Sequence, residues 1–107
     1  MMTQLPSRFL GRWSGTVYDS GRVRPYAGEI LLHAEGGSTK YDMARSCPTG
    51  KLSQPVVTDD TVLLLEVTDN SWKRGFLKLR VNDADELVCV WKENSARPIH
   101  AKMKRHE

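Results

Sequence analysis

The sequence predicts an all-β fold, a small up-and-down antiparallel barrel of about eight strands. Three observations predict it. Short runs of alternating apolar and polar residues recur along the 107-residue chain, each bounded by Gly, Asp, Asn, Ser or Pro, as half-buried strands require. No window sustains apolar residues at three- and four-residue spacing between caps, so helix is almost missing. A meander of short strands exposes two edges unless it closes on itself, and a barrel removes both.

The strands follow in order. Residues 12–18 form the first, ended by Asp19-Ser20-Gly21. Residues 26–34 end at Glu35-Gly36-Gly37, and residues 38–43 end at a Cys-Pro-Thr-Gly turn. Residues 50–57 carry Pro55, which marks an edge or a bulge because proline donates no ladder hydrogen bond. Residues 61–67 begin after Asp59-Asp60, two adjacent acids of the kind that occupy tight turns. Residues 75–81, 86–92 and 99–104 complete the set. Residues 1–8 read as an N-terminal arm and residues 9–105 as a single barrel domain.

Alternation assigns the inner face. Leu77, Leu79 and Val81 oppose Lys78 and Arg80, and Ile99, Ala101 and Met103 oppose His100, Lys102 and Lys104. Residues 62–65 are apolar on both faces, so Glu66 decides the strand: Leu63, Leu65 and Val67 are expected to point in. In FLGRWSGTV, residues 9–17, glycine allows the first strand to bend and Gly15 leaves room beside Trp13. Trp13 is then expected to plug one end.

Composition narrows the chemistry. The net charge is +3 with a pI near 9, and the basic residues gather at Arg22 and Arg24 and at Lys102, Lys104 and Arg105. These do not form a continuous stripe in the sequence, so nucleic acid is not the expected partner. No apolar run resembles a leader or reaches membrane-spanning length, which leads to the expectation of a cytoplasmic protein, or of a mature fragment whose leader was removed, with no membrane association. Cys47 and Cys89 are expected to be reduced and too far apart to bridge. Two cysteines with no histidine at finger spacing do not make a zinc site, and no metal or cofactor is expected. His33, His100 and His106 lie on outward faces or at the end of the last strand, without a serine or cysteine partner. A thiolate at Cys47 lowered by Arg45, or haem on His33 or His100, would need a constellation that the spacing does not supply. The chain is expected not to be an enzyme.

The order Gly11-x-Trp13-x-Gly15, Tyr26 with Glu29-Ile-Leu-Leu, Tyr41-Asp, Cys47-Pro-Thr-Gly-Lys-Leu, Arg74-Gly-Phe-Leu-Lys-Leu and Glu86-Leu-Val-Cys-Val-Trp91 resembles the calycin group. It is similar to a small calycin-like domain found at the C-termini of some actinobacterial serine/threonine protein kinases and as standalone proteins. The resemblance covers nearly the whole chain from Phe9 to Lys104 and implies a lipocalin-related barrel. Members often carry a second cysteine before the glycine that starts the sixth strand. Trp72 occupies that region here and Cys89 lies a strand later, so the family's disulfide does not carry over. The sequence contains no Gly-rich loop, catalytic-loop Asp or metal-binding Asp motif of a kinase.

A packed interior of Leu, Val, Ile and Met leaves binding to the open end, opposite Trp13. The residues expected around that rim are Arg22, Arg24, Tyr26, Tyr41, Arg45 and Trp72, residue types enriched at interface hot spots. The alternative for the aromatics is that they cap the barrel. The expected function is a noncatalytic binding or regulatory module, monomeric or weakly dimeric, recognising a partner protein or small ligand. The alternatives are a single-stranded nucleic-acid-binding barrel, with Tyr26 or Trp72 as stacking platforms, and a small inhibitor of a partner enzyme.

Overall fold

The computed structural model describes residues 4–19, 24–69, 74–92 and 99–106. Eight antiparallel strands close into one barrel: β1 (Gly11–Asp19), β2 (Tyr26–His33), β3 (Gly36–Asp42), β4 (Thr49–Thr58), β5 (Thr61–Thr68), β6 (Arg74–Val81), β7 (Glu86–Lys92) and β8 (Ile99–His106). Each strand pairs with its neighbours in sequence, and β8 pairs back onto β1 from Arg12↔His106 to Asp19↔Ile99. Every strand read from the alternation is present, with boundaries within two residues. The start of β3 and the end of β8 shift most, by two residues each. The hairpin before β3 closes on Ala34 and Glu35, so that His33 pairs with Gly36 and both glycines join that strand. Gly37 must be bare, because a Cβ there would collide with the carbonyl oxygen of Leu31.

The turns follow their chemistry. Asp59, at φ 53°, closes a two-residue hairpin between Thr58 and Thr61, a conformation that aspartate tolerates better than most residues. Between β6 and β7 the Asn82 side-chain oxygen accepts from the backbone N–H groups of Ala84 (3.0 Å) and Glu86 (2.9 Å), an Asx-type closure. Pro55 sits in a β-bulge between Ser53 and Val56, next to Gln54 at φ 54°.

One end of the barrel is shut. A 3₁₀ turn, Ser7–Phe9, lies across it, and Phe9 and Trp13 are completely buried. The Trp13 indole N–H donates to the Phe9 carbonyl at 2.9 Å. Leu5, within the stretch read as an arm, is also buried, and its N–H reaches the Ala34 carbonyl at 2.8 Å. Arg105 lies over the Trp13 ring, 4.1 Å from its centroid, and donates to the carbonyls of Leu10 and Arg8 at 2.5 and 2.6 Å. Trp13 is the plug, held from above by a cation.

The glycines of β1 do something other than make room for Trp13. Gly15 pairs with Gly28, and the space they leave is taken by Met103 of β8, joined at Gly28 by Val17. A Cβ on Gly15 would lie 2.5 Å from the Lys102 carbonyl and 3.2 Å from Met103 Cγ. The notch lets β8 approach closely and the thioether fill the gap.

The facing of β5 is the reverse of the expectation. Val62, Leu64 and Glu66 are buried, whereas Leu63, Leu65 and Val67 lie outward and half-buried. Register leaves no choice: Val62 is opposite Leu79 and Leu64 opposite Leu77, both inward. A charged residue marks the outside of a strand only when it has no buried partner, and Glu66 has two.

Candidate functional site

Strand direction defines the other end. β1, β3, β5 and β7 finish there, and β2, β4, β6 and β8 begin there. Antiparallel pairing therefore gathers Tyr26, Thr39, Tyr41, Gly50, Glu66 and Trp91 from five strands at the end opposite Trp13. Thr39 and Glu66 are the buried polar or charged residues among those described, 2% and 7% exposed, and both belong to this cluster.

The cluster is a connected network. The Glu66 carboxylate accepts from the Thr39 hydroxyl at 2.7 Å and from the Tyr41 hydroxyl. The Trp91 indole N–H donates to the Tyr41 oxygen at 2.8 Å. Gly50 makes space for it, because a Cβ would press on the Thr39 hydroxyl and come within 3.3 Å of the Glu66 carboxylate. Rings stack edge-on from the rim inward: Tyr26 to Tyr41 at 6.0 Å and 87°, then Tyr41 to Trp91 at 6.1 Å and 64°. Such edge-to-face pairs favour one mutual geometry over others. No buried side-chain nitrogen or oxygen among the described residues lacks a partner.

Burial, followed by the adjacent Glu66 charge and its hydrogen bond, holds the Tyr41 phenol well above its ordinary value of 10.0. The sign of the pH effect follows from that direction. A folded-state value above the unfolded one gives stability that is complete below about pH 10 and is lost as pH rises beyond it. The melting temperature should therefore fall steeply above about pH 10, and Tyr41→Phe should be much less sensitive to alkali. Thermal melts across that range check this. A wild-type profile no steeper than that of Tyr41→Phe would contradict it.

The expected rim residues are distributed unevenly. Arg22 and Trp72 lie outside the described residues. Arg24 is exposed just before β2, and Arg45 is exposed in the turn where Met43 and Ser46 bridge. Tyr26 is half-buried at the start of β2, packed against the core. Tyr41 is inside, 6% exposed, and acts through the network below the rim. Thr39, Glu66 and Trp91 were not anticipated. Their signal was the single carboxylate in an otherwise apolar strand, together with hydroxyl residues at alternate positions of β3.

Cys47 is exposed and its thiol points to Asp42 Oδ1 at 3.7 Å. Cys89 is buried, and burial pushes its thiol up, away from the reactive thiolate. The three histidines are exposed: His106 bonds the Ser14 hydroxyl and His100 stacks on Tyr18. No group of three or more His, Cys, Asp or Glu is placed to hold a metal ion among the described residues. No helix among them is long and apolar enough to cross a membrane.

No protein-family model matches the chain, and no curated protein matches it. Among solved structures it is similar to a redesigned β barrel, with a TM-score of 0.67 and 14% identity over 94% of each chain. At that identity the likeness concerns the fold alone: this chain is a closed, eight-stranded antiparallel β-barrel.

Proposed function

We propose that this chain is a noncatalytic binding module that recognises a partner protein or small ligand at the open rim of its barrel. The observation that carries this reading is the position of the buried network. Burying a carboxylate costs folding free energy even when it is well bonded, and among the described residues the buried polar side chains, Thr39 and Glu66, sit at the end opposite Trp13 and not throughout the core. Tied to Tyr41 and Trp91, Glu66 stiffens the floor on which Tyr26 stands. A contact surface is more selective when its supports are held in this way. Arg24 and Arg45 project beside it. Trp13, Val17, Ile30, the inward leucines and Met103 pack the interior, which supports recognition at the rim. Regulation or inhibition of a partner enzyme fits a barrel of this size. The resemblance to calycin-like domains of bacterial kinases, and a cytoplasmic setting, belong to the same reading.

Native mass spectrometry of the protein purified from its own host tests it. A bound species should accompany the wild type and be lost from an Arg24→Ala/Arg45→Ala/Trp72→Ala variant whose melting temperature is little changed. Retention of that species by the variant, or finding the wild type bare, overturns the proposal.

A further inference from the structure

Barrel closure places on one wall a set of cations that are scattered in sequence. β8 carries His100, Lys102 and Lys104 outward, all exposed. Two strands away, β6 carries exposed Lys78 and Arg80, and the half-buried Val88 and Val90 of β7 lie between the two rows. Lys92 extends the patch at the open end. Glu86 is the one carboxylate facing outward from these three strands among the described residues, and it is already bonded to Asn82 at 3.1 Å. Five lysines and arginines against one acid exceed the +3 of the whole chain. Strand pairing thus sets Lys78 and Arg80 of β6 on the same wall as Lys102 and Lys104, while Arg24 stays apart from them.

Beside this wall, a shallow open depression of about 580 Å³ lies over the outer face of the paired strands β8 and β1. Its lining includes Lys102 and Lys104, the hydroxyls of Ser14 and Thr16, and a platform in which Tyr18 stacks on His100 at 5.5 Å and 24°. Tyr18 is 51% exposed, more than a tyrosine needs for packing. Lys102 and Lys104 are two residues apart on one face, about 6.7 Å along the strand, so they can meet successive phosphates of an unstacked chain. Cationic groups and hydroxyls that follow a backbone, beside an exposed ring that accepts a base, are the two elements of single-strand recognition. A duplex would offer the phosphates but leave the ring without a base.

We propose that the outer wall formed by β8 and β1 binds single-stranded nucleic acid, with Lys102 and Lys104 on phosphates and Tyr18 under a base. This surface is separate from the rim and does not depend on it. Anisotropy of a labelled oligothymidylate of about twelve nucleotides, measured between about 50 and about 200 mM salt, tests it. The wild type should bind, and its affinity should fall as salt rises. Lys102→Gln/Lys104→Gln should weaken binding on the order of tenfold and flatten the logarithmic salt slope by about 1.4. Tyr18→Ala should weaken binding about tenfold with the slope unchanged. Lys40→Gln/Lys51→Gln, exposed on β3 and β4, and Arg24→Ala/Arg45→Ala should bind as the wild type does. All substituted side chains are exposed, and equal melting temperatures confirm folding. Should Tyr18→Ala prove unstable, Tyr18→Leu keeps the bulk and removes the aromatic face. Failure of the wild type to bind, equal losses in the Lys40/Lys51 pair, or binding only to phosphatidylserine vesicles through the same lysines overturns the proposal.

Discussion

Trp13→Ala should lower stability by about 4 kcal/mol. Three losses combine. The ring is completely buried, so its removal leaves a cavity at the shut end. The Phe9 carbonyl loses its indole donor. Arg105 loses the ring face it covers, and with it part of the clasp on Leu10 and Arg8. For a domain of about this size, each kcal/mol shifts the melting temperature by roughly 4–8 °C, so the midpoint should fall by about 20 °C. Trp13→Phe keeps most of the volume and should cost about half as much. Urea titration of the three proteins measures both differences. A loss below about 1 kcal/mol for the alanine variant would show that the tryptophan is not part of the packed core.

The second large effect concerns which way β5 faces. With Glu66 inward, Glu66→Lys places an ammonium against the hydroxyls of Thr39 and Tyr41 and beside Leu52. An unmatched charge at a site 7% exposed should cost about 3–5 kcal/mol, a large share of the roughly 5–15 kcal/mol that holds an ordinary domain together. Leu65→Lys, on the half-buried outer face between Ser53 and Phe76, should cost much less. If β5 faced the other way, the two substitutions would exchange ranks. Glu66→Ala, intermediate at about 3 kcal/mol, strands the Thr39 and Tyr41 hydroxyls without adding a charge. Equilibrium unfolding of the three variants decides between the two facings.

That strand also shows where reading by sequence stopped. Strand number, order and approximate ends follow from local periodicity and turn residues, which the chain displays without ambiguity from Gly11 to His106. The inward faces of β6 and β8 follow from the same alternation, because each places lysine or arginine opposite leucine, isoleucine or methionine. β5 offers leucine or valine on both faces and a single acid. Its facing is set by register against Leu77 and Leu79, and the acid is accommodated by hydroxyls contributed by β3. Neither fact is local. The same applies to the basic wall, whose two cationic rows come from strands some twenty residues apart in sequence and are joined only through β7. Tyr41 was legible as a residue of the open end, but its partner was not, so its interior role was hidden.

The seam between β1 and β8 has a consequence for the order in which this molecule can be made. Every other pairing joins neighbours in the chain, whereas Arg12 finds His106 only after all the intervening residues exist. While the ribosome still holds β8, β1 and β7 both present unpaired edges, the arrangement that invites strand addition from another chain. Arg105, which secures the Leu10 and Arg8 carbonyls, also arrives last. A nascent chain stalled before Ile99 would therefore have neither its closing strand nor its clasp. The interval most open to misassembly should be the one before β8 can pair with β1.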